Sequence, residues 1–162
     1  MQKFKLLVAA TALSLASAAS ADQVGAFLLG AQYQQDNGLR YGLGLPFLGL
    51  FSGGGVVALS GDVSYLIPAG AAGGVSPYYG FGLGASVVFA SGSGSSAGGV
   101  ALYPNVLAGL NFNTGSKFTP FLEGSVGPSI AFARASSGGS SASGAGVGIG
   151  FGIRVGFNYD LR

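Results

Sequence analysis

The sequence predicts an all-β protein: an antiparallel, up-and-down transmembrane β-barrel of about eight strands, preceded by a cleaved signal peptide. Three observations lead there. Large apolar residues alternate with small ones through most of the chain, the mark of strands with two unlike faces. Charged residues are only 7% of the sequence against 49% hydrophobic, far below the roughly 25% charge of soluble domains. The first 21 residues read as an export signal.

That segment, MQKFKLLVAATALSLASAASA, opens with Lys3 and Lys5, runs apolar from Leu6 and closes on Ala19-Ser20-Ala21 before Asp22. This is the plan of a secretory signal peptide with a small-residue cleavage site. Leu6 to Ala18 is too short to cross about 30 Å of hydrocarbon as a helix, which argues against an anchor. The chain therefore divides into a signal peptide, 1–21, and one barrel domain, 22–162, of a size suited to a single core. Cleavage removes two of the seven basic residues and none of the five acidic ones, so the mature charge is zero. The pI near 9.0 belongs mainly to the precursor, and no basic patch is left as a footprint for nucleic acid. Cysteine and histidine are absent. That excludes a disulfide framework and thiol chemistry and removes the commonest general base and metal ligand. Neither a cofactor nor a metal is expected. The 32 glycines do not signal disorder, which goes with few apolar residues and high charge.

Strands are expected near 23–34, 39–51, 56–67, 77–90, 100–112, 117–134 and 145–161. The last is the clearest: Val147, Ile149, Phe151, Ile153, Val155, Phe157, Tyr159 and Leu161 form one row, opposed by Gly148, Gly150, Gly152, Arg154, Gly156, Asn158 and Asp160. Between strands lie two tight polar turns, Gln35 to Gly38 with its Asn-Gly hairpin signal and Asn113 to Lys117, and two looser Gly/Ser stretches, Ser91–Gly99 and Ala135–Gly144. An internal repeat pairs Ser76–Ala90 with Thr119–Ala133, each followed by a Gly/Ser loop and another strand. A repeating hairpin cannot hide its two edges unless the series closes on itself.

A sandwich, a soluble barrel and a membrane barrel all fit many short antiparallel strands. A soluble protein would set Lys, Glu, Thr and Asp opposite the apolar row. Here glycine, alanine and serine stand there, as expected inside a narrow tube whose apolar row meets lipid. A soluble exported sandwich remains the alternative. Tyr65, Tyr78, Tyr79, Phe112, Phe118, Phe157 and Tyr159 lie at strand ends on the rim of the Asn113 turn, the place of an interfacial aromatic girdle. Phe51, Phe89 and Phe132 are expected to form a weaker girdle on the opposite rim.

Signal peptide, short turns on one rim, longer loops on the other and a closing amphipathic strand together resemble the small outer-membrane β-barrel proteins of Gram-negative-type bacteria. Arg154, Gly156, Tyr159 and Leu161 are similar to that family's C-terminal assembly signal: polar residue, glycine, aromatic, hydrophobic. Arg162 departs from it, since such chains usually end on an aromatic. The resemblance implies outer-membrane lipid and the barrel-assembly machinery as partners, and leaves the oligomeric state open. It also implies an even strand number, whereas seven segments are legible; the missing strand is expected within Asp22 to Gly55.

Four charges fall on inward positions and sum to zero: Arg40, Asp62, Glu123 and Arg154. Buried charges persist when paired and hydrogen-bonded, so one ion-pair cluster is expected in the periplasmic half of the lumen. Such a cluster is a rigidifying plug or, alternatively, a gate. Gly80–Ala85, GFGLGA, matches a dinucleotide fingerprint, but that chemistry needs a helix to follow, and SVVFA continues a strand. No catalytic residue is assigned. Asp62 and Glu123 could serve acid/base work only if free of arginine. The expected function is non-enzymatic: an outer-membrane barrel with an envelope structural role or limited, porin-like passage of small solutes. The alternative is a barrel that holds a small apolar ligand in its lumen; a lipid-modifying enzyme or an adhesin is less favoured.

Overall fold

The computed structural model describes residues 23–45, 56–92 and 94–162. The signal peptide, Phe51 and the end of the expected 39–51 strand lie outside them. Eight strands follow in chain order: β1 (Gln23–Phe27), β2 (Gly30–Gln34), β3 (Leu39–Gly44), β4 (Val56–Pro68), β5 (Val75–Gly92), β6 (Ser95–Phe112), β7 (Phe118–Ser137) and β8 (Ser140–Asp160). Each pairs antiparallel with its neighbours, and β1 pairs back onto β8 to close a ring. No helix among the described residues is long and apolar enough to cross a membrane, which says nothing about strands.

The eighth strand comes from the expected place. Residues 23–34 are two strands, folded back at Leu28–Leu29. Nothing in Phe-Leu-Leu-Gly announces a turn, and Leu29 sits at φ 83°, where most side chains are strained. Asn37-Gly38 does make its hairpin: Gly38 takes φ 88° and the Asn37 side chain accepts from the Leu39 N–H at 2.9 Å.

The Gly/Ser stretches correct the expectation of long loops. β5 and β6 pair out to Gly92↔Ser95, and β7 and β8 out to Ser137↔Ser140. The second turn is Gly138-Gly139 alone, at φ 57° and 83°, the conformation a two-residue hairpin asks for. The serine, alanine and glycine residues of both stretches extend the ladder. The repeat is thereby a repeat of hairpins, β5–β6 and β7–β8.

The ring is uneven. Its lower rim carries the turns at 35–38, 69–74 and 113–117 and the C-terminal end; its upper rim carries the turns near 94 and 138. β1, β2 and β3 rise only five, five and six residues above the lower rim, against 18 to 21 for β5–β8. The outside is apolar: Val63, Tyr79, Phe81, Leu83, Val106, Leu122, Ile153 and Phe157 are all exposed. The buried side chains include Arg40, Ser64, Glu123 and Asn158 together with Leu66, Tyr78, Leu107 and Phe121. GFGLGA is plain strand within β5.

Candidate functional site: a charged plug beneath an open cradle

Period-two alternation aims Arg40 of β3, Asp62 of β4, Glu123 of β7 and Arg154 of β8 at the ring interior, and the structure brings all four together. Arg40 reaches across the ring to grip Glu123 with both amino groups, Nη1 to Oε2 at 2.6 Å and Nη2 to Oε1 at 2.9 Å. Its Nε donates to Ser64 Oγ at 3.1 Å. This bidentate geometry is the strong form of the pair, and the two residues are 1% and 3% exposed. Arg154 donates to Asp62 and has its Nε 4.0 Å from Glu123 Oε1. Its guanidinium lies 4.8 Å from the Phe27 ring centroid on β1, within range of a cation–π attraction.

Tyr78, expected with the girdle aromatics, is placed differently. It points inward, is buried, and donates its hydroxyl to Glu123 Oε2 at 3.1 Å. Tyr78 and Tyr79 are consecutive, and consecutive strand residues face opposite ways, so only one could lie outside. Tyr65, Tyr79, Phe112, Phe118 and Phe157 are exposed, and Tyr159 stacks edge-on against Phe118 at 4.9 Å on the same outer face. Phe89 and Phe132 are exposed near the upper rim.

Interior glycines make room for these groups. A Cβ on Gly42 would stand 2.2 Å from Asp62 Oδ2, and one on Gly109 would stand 2.4 Å from Tyr78 Cζ. Leu66 and Phe121 are buried on the lower-rim side of Asp62 and Glu123, Leu107 is buried in the interior opposite Ser125, and Gln32 of β2 donates to Asn158 of β8 at 2.7 Å. Above the ion pairs Tyr103 lies across β8, its hydroxyl donating to the Gly150 carbonyl at 3.1 Å. Higher still the packing stops: a Cβ on Gly144, Gly146 or Gly148 would meet nothing within 4 Å. Two adjoining cavities of about 510 and 430 Å³ lie there, lined by small residues such as Ala90, Ala97, Ala135 and Ala142.

Of the residues similar to an assembly signal, Arg154 and Gly156 face inward, Tyr159 faces outward, and Leu161 lies just past β8, exposed. Arg162 is engaged at the lower rim: its guanidinium pairs with Asp36 at 3.0 Å and its backbone N–H donates to Asp160. Lys117 donates to its carbonyl, so the chain's last residue joins two turns to the end of β8. Among the described residues no three of His, Cys, Asp or Glu gather as metal ligands. No protein-family model, curated protein or solved structure matches the chain.

Proposed function

We propose that the protein is a non-enzymatic outer-membrane β-barrel with an envelope structural role, plugged in its lower half. One observation carries this reading: the ring is inverted relative to a water-soluble protein, with ion pairs buried inside and large apolar side chains exposed outside. Between Tyr79 and Phe89 on β5 are ten residue steps, about 33 Å along a strand. At a tilt near 45° that is roughly 23 Å along the membrane normal, close to the ~25 Å apolar band of outer-membrane barrels. Exposed aromatics stand at both of its ends, Tyr79 and Phe157 at one and Phe89 and Phe132 at the other.

The cluster supports a plug over a pore. Arg40, Glu123, Tyr78, Arg154 and Asp62 reach one another from five strands, and apolar side chains close the space beneath. Both carboxylates are held by arginine, which argues against acid/base chemistry. The test has two arms. Flotation with phosphatidylethanolamine/phosphatidylglycerol vesicles is expected; recovery as a detergent-free soluble protein refutes the membrane reading. In planar bilayers the inserted protein is expected to show no steady conductance, and an ohmic channel refutes the plug.

The empty upper cradle favours a second reading, the binding of a small apolar ligand, because its cavities fall within the usual 300–1,000 Å³ of ligand sites. Quenching of a lumen-directed fluorescent fatty acid that is lost on Gly146→Phe would support it.

A further inference from the structure

Among the described residues, β8 is covered on its outer edge only at the bottom. β1 pairs with it from Asp160 to Gly156, and the Leu28 N–H donates to the Val155 carbonyl at 3.0 Å. Above that point no strand among the described residues pairs with this edge. The direction of its backbone groups follows from parity. The Val155 carbonyl points towards β1, whereas the Asp160 N–H donates to Lys117 on the β7 side. Odd-numbered residues of β8 therefore aim both N–H and C=O at the open edge. From Ser141 to Ile153 that is a row of donors and acceptors with no ladder partner among the described residues.

Side-chain exposure says the same independently. Val147, Ile149, Phe151 and Ile153 are 74–81% exposed, while the equivalent outer residues of β5, Tyr79, Phe81, Leu83 and Phe89, flanked by strands on both sides, are 52–59% exposed. The excess matches the lack of a neighbouring strand among the described residues. Natural edges are blunted by proline, charge or a bulge. Between Arg134 and Arg154 this chain has neither a proline nor a charge.

We infer that this edge is a strand-acceptor site, which takes an extended segment of a second polypeptide antiparallel to β8 on the continuation of β1. The inference rests on the membrane reading, since hydrocarbon offers unpaired backbone groups no partner and open sheet edges do not occur there. The chemistry selects the occupant. The row repeats every second residue, about 6.6 Å, and alternates donor with acceptor; an extended polypeptide backbone matches that, and an acyl chain has no polar atoms to offer. Direction follows from continuity with the β1–β8 ladder. On the outer face the segment needs apolar residues beside Val147, Ile149, Phe151 and Ile153. On the inner face it tolerates large ones, because Gly144, Gly146 and Gly148 leave open space. Two β8 edges do not fit each other: antiparallel pairing turns one copy upside down in the bilayer.

The native chain has no cysteine, so single-cysteine variants give the test. Phe151→Cys stands at the edge, and Phe81→Cys stands on the outer face away from it. Each is inserted into phosphatidylethanolamine/phosphatidylglycerol vesicles and oxidised with a nine-residue peptide copying Val57–Tyr65, its central glycine replaced by cysteine. The expected result is a disulfide at Phe151→Cys in several-fold excess over Phe81→Cys, abolished when alternate peptide nitrogens on one edge are methylated. Equal yields at both positions, insensitivity to methylation, or no disulfide at either position in protein that floats with the vesicles overturns the acceptor site alone. Failure to float overturns the membrane reading and the acceptor site with it.

Discussion

Glu123 is the residue on which the ion-pair cluster turns, and replacing it by leucine gives a prediction with a worked magnitude. Arg40 is 1% exposed and makes both of its charge-neutralising bonds to Glu123, at 2.6 and 2.9 Å. Without that carboxylate the bond to Ser64 is what Arg40 keeps among the described residues, and Asp62 is already held by Arg154. Removing one partner of a buried pair costs about 3–5 kcal/mol, because the other charge stays in low dielectric. Arg40→Met should cost less: Glu123 then retains the Tyr78 hydroxyl at 3.1 Å and Arg154 at 4.0 Å. The double variant Arg40→Met/Glu123→Leu removes both charges and leaves chiefly the Tyr78 hydroxyl unpaired, about 1–3 kcal/mol. It should therefore be more stable than Glu123→Leu alone. The assay is urea unfolding in lipid vesicles, followed by far-UV circular dichroism and by gel mobility without heating. If the double variant loses the sum of the two single losses, the two charges are not coupled and the cluster reading is wrong.

Other predictions follow from single contacts. Gly109→Ala drives a methyl into Tyr78 and should destabilise by about 1–3 kcal/mol, as overpacking does, whereas Gly146→Ala, with nothing in reach, should be near neutral; equal effects in the same urea titration would refute the division of the interior into packed floor and open cradle. Tyr103→Phe removes the hydroxyl bonded to Gly150 and should cost about 0.5–1.5 kcal/mol, read from the shift in urea midpoint. Leu29→Gly relieves a side chain at φ 83° and should raise stability by about 1 kcal/mol; a loss would mean that Leu29 is held there by its contacts. Ile153→Arg on the outer face should impair folding into vesicles by about 2–4 kcal/mol, and insertion as efficient as that of the parent chain would count against a lipid-facing surface.

The fold was legible because one rule, alternation, governs nearly every strand and because the opposing row is too small and uncharged for a water-facing surface. The same rule puts Arg40, Asp62, Glu123 and Arg154 on one side. It failed where sequence chemistry is silent. The Leu28–Leu29 turn has no glycine, proline or asparagine in its two central positions, so β1 and β2 read as one strand. The outer parts of β5–β8 were hidden by composition: runs of Ala, Ser and Gly carry no apolar contrast, although their backbones pair as well as any. Tyr78 is readable by parity, since it and Tyr79 are consecutive strand residues and one of the two must face inward. Tyr103 carried no signal, because its role depends on Gly150, 47 residues away.

The position of the ion pairs follows from the unevenness of the ring. β1, β2 and β3 supply short ladders, five residue pairs between β1 and β8 and six between β3 and β4, against 20 between β7 and β8. A ring closed at so short a seam has little backbone pairing to fix its register there. The interior bonds fall on that side: Arg40 ties β3 to β7, Gln32 ties β2 to β8, Arg154 ties β8 to β4 and lies against Phe27 of β1. Each depends on direction and reach, so a slip of one residue would aim the side chain outward. On this view the cluster contributes less to net stability, where buried ion pairs often gain little over apolar residues, than to the choice of one closure. An apolar replacement of the whole cluster, Arg40→Met/Asp62→Leu/Glu123→Leu/Arg154→Met, should then keep most of the strand content but lose the single register. Disulfide yields between cysteines at Val24 and Tyr159, which are paired in the native ladder, should fall relative to shifted pairs such as Val24 with Phe157. An unchanged preference for the native pair would show that the short ladders set the register unaided.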